Sequence, residues 1–187
     1  MILWFACPLL MILNSWKHSS IMTVKAQGRL LDVSEKRQKL IQPFANCTKD
    51  VFSMMLNWET DLIGIFSNEA FMSRYDCSGL IGVSGALRGS IVVSVDQDVA
   101  FAAAESFLGE KTSTINAEVI DMVGELTNMI AGAGKDRIGI PGIMLGLPTV
   151  ITGRGHTVTF DHGAHVEILQ FSSPHGPFTV EIGVRGL

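Results

Sequence analysis

Residues 116–134 read NAEVIDMVGELTNMIAGAG, and this stretch decides the fold. At about 100° per residue, Val119, Met122, Val123, Leu126, Ile130 and Ala133 fall in one apolar stripe. A stripe of that kind must face a core. The start of the helix is also marked. Asn116 is a preferred N-cap, and Ile115 and Ile120 flank it at the spacing of a hydrophobic staple. Glu118 lies in the first turn, where the helix dipole favours negative charge. Gly132 and Gly134 loosen the far end, and Pro141 rules out continuation.

Short apolar runs lie on both sides of this helix in the sequence. Residues 77–84 and 89–95 are rich in Ile and Val and are separated by Gly85-Ala86-Leu87-Arg88, which predicts an antiparallel hairpin. Asp96 caps a second helix whose Ala-rich run spans 99–108, and Gly109 stops it. Downstream, 143–152, 157–160, 164–171 and 178–184 read as strands split by Gly, Pro and Asp-His-Gly turns. Upstream, Pro43 suits a first helical turn. Phe44, Val51, Phe52, Met55 and Leu56 follow at helical spacing, so about 43–57 reads as the first helix. The predicted class is α+β, with helices packed on an antiparallel sheet. Each half runs from a helix into several strands, which suggests an internal duplication.

The 187 residues suit one domain with a short appendage, and 47% apolar content is enough for a core without metal or disulfides. We divide the chain into an N-terminal extension, 1–40, and a domain, 41–187. Within the polar stretch 25–42, Leu30, Leu31 and Val33 offer a short strand or helix. Met1 to Trp16 carries no charged side chain. It is shorter than the roughly 20 residues that cross a bilayer, and it lacks the leading basic residue and cleavage site of a signal peptide. With a second start available at Met22, residues 1–21 read as an upstream translation extension or a disordered apolar tail; a membrane anchor is the sharper alternative. Net charge is −4 with no Lys/Arg block, which argues against a nucleic-acid partner. Cys7, Cys47 and Cys77 form no CxxC pair, so reduced thiols in a cytoplasmic protein are expected.

Opposite the apolar stripe, Asp121, Glu125 and Asn128 fall together, with Gly124 and Gly132 on or beside that polar side. A carboxylate and a carboxamide three residues apart are neighbours on a helix surface. Small residues around them let another protein's backbone come close. A lone Glu-x-x-Asn is also common on any solvated face. Two details shift the balance toward function. Asn is a mediocre helix former, and an exposed glycine costs about 1 kcal/mol relative to alanine.

The stretch from Glu118 to Gly132 resembles the signature helix of the CheX/CheC chemotaxis phosphatases. Their pattern is an Asp or Ser, three residues, Glu, two residues, Asn, and Asp121, Glu125 and Asn128 match it position for position. Residues 147–153, LPTVITG, resemble the strand that follows that helix, and 78–89, SGLIGVSGALRG, resemble the family's central hairpin. The similarity runs from about Pro43 to the C-terminus and implies a CheC-like fold. Two features depart from the pattern. Ala133-Gly134 stands where family members often carry an Asn, and the first helix holds no Glu-x-x-Asn. One site per chain is therefore expected, closer to CheX than to the two-site CheC proteins.

The resemblance implies a function. The chain would hydrolyse the phosphoaspartate of a CheY-like response regulator. Asn128 would orient the attacking water, and Glu125 would pair with the regulator's active-site lysine. Asp121, Gly124 and Gly132 would serve docking. Phosphoryl transfer needs mainly in-line positioning and charge stabilisation. No cofactor bound by this chain is expected, because magnesium would sit in the partner. A homodimer is also implied, paired through strands at a sheet edge. Two other readings compete. One is a non-catalytic module related to flagellar-switch proteins that binds the regulator without hydrolysis. The other is a structural dimer that packs this helix face on its own copy.

The remaining motifs are weaker. Gly153-Arg-Gly-His156 leads into a strand, so it reads as a hairpin turn and not as a phosphate loop. His156, His162, His165 and Asp161 form a loose cluster on strand ends and turns, and no metal site is assigned to them.

Overall fold

The computed structural model describes residues 35–67, 70–71, 75–109 and 111–186. The expectations for 1–34, including Leu30, Leu31 and Val33, lie outside the described residues. Three helices, α1 (Glu35–Leu56), α2 (Gln97–Leu108) and α3 (Ala117–Ile138), pack on one face of a seven-stranded sheet. Its strands are β1 (Asp61–Ser67), β3 (Cys77–Gly85), β4 (Arg88–Val95), β5 (Ile143–Leu145), β6 (Thr149–Thr152), β8 (His165–Ser173) and β9 (Gly176–Arg185). The order is β1-β8-β9-β4-β3-β5, with β6 also on β3, and every pairing is antiparallel. The short strands β2 (Ala70–Phe71) and β7 (Val158–Thr159) pair with each other. The α+β expectation holds.

The main core lies between helices and sheet. Alternate residues of the central strands point into it, such as Ile91, Val93 and Val95 on β4 and Phe178, Val180 and Ile182 on β9. Phe178 stacks between Phe52 of α1 and Phe171 of β8. On the opposite face, Ala164, Val166 and Ile168 form a smaller cluster, packed by Phe66 and Phe160.

The caps of α2 and α3 are those the sequence names. Asp96 accepts from the Val99 amide at 2.9 Å, and Asn116 accepts from the Val119 amide at 3.0 Å. Gly109 and Gly139 end the two helices in the left-handed conformation. Asn57 ends α1 the same way, with φ at 56° and amide bonds from Asn57 to Ser53 and from Trp58 to Phe52.

Four expectations need correction. First, α1 already runs from Glu35, and Pro43 lies inside it. Leu40 and Ile41 are fully buried, so burial upstream outweighs the amide bond that proline removes. Arg37 forks onto the buried Glu167 of β8, which ties the first turns of α1 to the sheet. The packed unit therefore starts before residue 41. Second, the strand expected over 143–152 is two pieces. Pro148 has no amide to give, and the bulge at 146–148 is pinned by Gly146 N donating to Gly82 O at 2.9 Å. Third, β1 was not foreseen. It carries Gly64 beside a register shift and is a half-buried edge strand, which leaves little alternation to read. Fourth, Gly134 does not loosen α3, because the helix continues four residues past it. A Cβ there would stand 2.3 Å from the Phe44 ring, so glycine permits the close crossing of α1 and α3.

Candidate functional site

The site is built on α3, whose back is gripped from two directions. Val119, Met122, Val123, Leu126 and Ile130 are all 2% exposed or less. Thr127 is fully buried and its hydroxyl donates to the Val123 carbonyl at 2.7 Å. Gly79 of β3 lies directly beneath: a Cβ added there would come within 1.9 Å of the Thr127 hydroxyl. Helix and sheet are thus in backbone-close contact one residue from Asn128. The helix cannot roll without breaking this fit.

Asp121, Glu125 and Asn128 all point to solvent. They span about 60° of arc on the helix. Among the described residues, the side chains of Glu125 and Asn128 have no hydrogen-bond or ion-pair partner. The helix therefore presents one carboxylate and one carboxamide side by side, both free to bond to something else. Gly132 continues this face, and a Cβ there would meet nothing within 4 Å.

Gly124 does not belong to the face. It is buried, and a Cβ would lie 3.5 Å from Val150 of β6. The apolar arc is wider than the stripe predicted, because α3 touches the edge strand as well as the sheet. Its assignment to docking is corrected: Gly124 seats the helix on β6.

The histidine cluster does not converge. His156 bonds Ser78, His165 bonds Glu167, and Asp161 pairs with Arg185. No group of three metal-ligating side chains occurs among the described residues. Cys47 and Cys77 are buried, and burial pushes their thiols up to about 12 and about 11, which makes them poor nucleophiles. No helix among the described residues is long and apolar enough to cross a membrane.

Sequence reasoning missed a second polar assembly on the far face of the sheet. Ser78, Ser94, Thr179 and Glu181 are 3% exposed or less and are linked by hydrogen bonds across β3, β4 and β9. Residues from three strands and a loop meet there, so no local pattern announces it.

Comparison with known proteins places the chain. The family described as "Chemotaxis phosphatase CheX" matches residues 77–172. A CheC-like superfamily protein from Shewanella is 31% identical, with a TM-score of 0.74 over 79% of this chain and 98% of that one. A chemotaxis protein CheX from Vibrio vulnificus is 32% identical, with a TM-score of 0.73 over 79% of this chain and 99% of that one. At 24% identity, the CheX of a CheX-CheY-BeF3-magnesium complex from Borrelia burgdorferi shares the fold, with a TM-score of 0.62 over 78% and 97%. No curated protein matches the sequence.

Proposed function

This chain belongs to the CheX family of chemotaxis phosphatases, and from that membership we infer that it dephosphorylates the aspartyl phosphate of a CheY-like response regulator. The observation that carries the reading at residue level is the exposed pair Glu125 and Asn128, unpartnered among the described residues, on a helix whose back is buried.

A phosphoaspartate is an acyl phosphate, so water can displace the carboxylate once it is held in line with the bond that breaks. The Asn128 carboxamide holds that water, its oxygen accepting a hydrogen bond from the water so that the water's lone pair aims at phosphorus. The water oxygen bonds to phosphorus, the bond from phosphorus to the aspartate oxygen breaks, the aspartate leaves as a carboxylate, and both of the water's hydrogens depart with inorganic phosphate. Positioning of this kind lowers barriers by several kcal/mol, where about 1.4 kcal/mol is tenfold in rate. Glu125 pairs with a lysine of the regulator and sets the register of the helix in the partner's site. Asp121 extends the acidic face by one turn, and the open space at Gly132 accommodates the partner's backbone. Magnesium belongs to the regulator in this scheme, in keeping with the Borrelia complex, in which CheX is joined by CheY and magnesium. The partner sets the location, which is the cytoplasm.

The reading extends to a homodimer paired at a sheet edge, where β1 and the β5–β6 line stand outermost among the described strands. Sedimentation over a range of protein concentrations checks it; a monomer throughout would remove it.

The decisive experiment follows decay of a phosphorylated regulator with and without the protein. Accelerated decay that disappears in Asn128→Ala, with binding retained, supports catalysis. Binding without acceleration by the native chain would instead make it a docking module.

A further inference from the structure

The buried assembly beneath the 153–157 loop contains a proton count that does not close by itself. His156 Nδ1 faces the Gly153 carbonyl at 2.7 Å, so that nitrogen must carry hydrogen. His156 Nε2 lies 2.7 Å from Ser78 Oγ, and Ser78 Oγ lies 2.8 Å from Ser94 Oγ. Ser94 Oγ lies 3.1 Å from Glu181 Oε1, which also meets Thr179 Oγ1 at 3.0 Å. These are four contacts in one chain, and each needs one hydrogen. Ser78, Ser94 and Thr179 supply three. A neutral imidazole with its hydrogen on Nδ1 and an ionised Glu181 supply none.

The fourth hydrogen is therefore an added proton, and it has two places to sit. On His156 Nε2, it donates to Ser78, Ser78 donates to Ser94, and Ser94 donates to the Glu181 carboxylate. On Glu181 Oε1, every step reverses and Ser78 donates to a neutral imidazole. The two arrangements interconvert as Ser78 and Ser94 each give up one proton and accept another.

We propose that His156 and Glu181 hold one proton in common through Ser78 and Ser94, and that this proton latches the 153–157 loop to the sheet. Loss of the proton leaves four contacts with three hydrogens, so one pair of lone pairs must face each other. Ser78 and Ser94 are ladder partners, and Thr179 and Glu181 stand on the neighbouring strand β9. His156 is the one member carried on a loop, so His156 leaves.

The charged surroundings do not remove the effect. At the loop end, Arg154 and Asp76 pair with each other at 3.3 Å, and the nearby Asp96 carboxyl is raised first by burial and then by Asp98 and Asp76. The causes acting on Glu181 are burial, then its two hydroxyl bonds, with no charged group among them. Burial raises this carboxyl to about 7, and its Oε2 has no hydrogen-bond partner among the described residues. Only the closed state needs the fourth hydrogen, so it binds the proton more tightly than the open one. Latching is complete at low pH and is lost as pH rises past about 7.

The test is trypsin cleavage after Arg154 in the full-length chain from pH 6 to pH 9, read by mass spectrometry and normalised to an unstructured peptide. A lost hydrogen bond shifts an opening equilibrium by up to about tenfold, so normalised cleavage of the native chain should rise by about that factor. Glu181→Gln supplies an amide hydrogen that cannot dissociate, and its profile should be flat and low. Ser78→Ala severs the chain, and its profile should be flat and high. Parallel profiles for the native chain and Glu181→Gln would overturn the proposal.

Discussion

α1 and α3 are each 22 residues long, and they bury the same pattern of positions. Setting Thr127 on Thr48 sets Val119 on Leu40, Val123 on Phe44, Leu126 on Cys47 and Ile130 on Val51, and all of these are buried. The sheet follows suit. The strands after α1 (β1, β3, β4) and those after α3 (β5–β6, β8, β9) take matching places counted from opposite edges. On the solvent side the two helices part. Asp121, Glu125, Asn128 and Gly132 fall on Gln42, Asn46, Lys49 and Ser53. Lys49 pairs with Asp61 at 3.2 Å, and the adjacent Asp50 pairs with Arg137. On α3, Glu125 and Asn128 remain unsatisfied by the described residues. The buried faces share one design, set by packing, and the difference lies in whether the exposed groups find partners at home. Function is sought where they do not.

The largest effect should come from removing the carboxamide. Asn128→Ala is expected to slow regulator dephosphorylation by about 100-fold, the scale of a lost positioning group, while regulator binding changes less than about threefold. Single-turnover decay and a separate binding titration distinguish the two. Glu125→Ala is expected to cost about tenfold or more in binding and to lower the rate with it, because a carboxylate-lysine pair is lost on docking. Unaltered binding would withdraw the pairing role. Stability should be nearly untouched in both variants, since both side chains lie on the surface.

Behind the surface, the comparison turns on Gly134. Its partner in α1 is Met55, so the two helices are not interchangeable at their crossing. Gly134→Ala would force the Phe44 ring aside and should destabilise the fold by about 1–3 kcal/mol in denaturant titration. The rate per folded molecule should be unchanged. A neutral result would mean that the ring has room to shift.

The same contrast explains what the sequence disclosed. The apolar stripe and both caps of α3 were legible because helix period and cap chemistry are local. The candidate face was legible for the same reason, since Asp121, Glu125 and Asn128 lie within two turns. What was hidden depended on contact between distant segments. Gly124 reads as surface until β6 is laid against it, and Gly134 reads as a weak helix end until Phe44 arrives from α1. The early start of α1 was hidden because Leu40 and Ile41 sit in a polar run, and their burial comes from the sheet. His156, Ser78 and Glu181 were separate residues until three strands and a loop joined them.

The smallest expected effect is also the closest test of the contrast between the helices. In an Asn128→Ala background, Asn46→Glu with Lys49→Asn gives α1 the same acid-amide spacing as α3. Loss of the exposed Lys49–Asp61 pair should cost less than about 1 kcal/mol. The dephosphorylation rate should recover to at most about a tenth of the native value, because a site needs its surroundings as well as its two side chains. α1 carries Ser53 where α3 has Gly132, and removing Lys49 leaves Asp61 without its cation beside the new amide. Full recovery would show that two side chains on a helix suffice. The surroundings of α3 would then count for little in the activity.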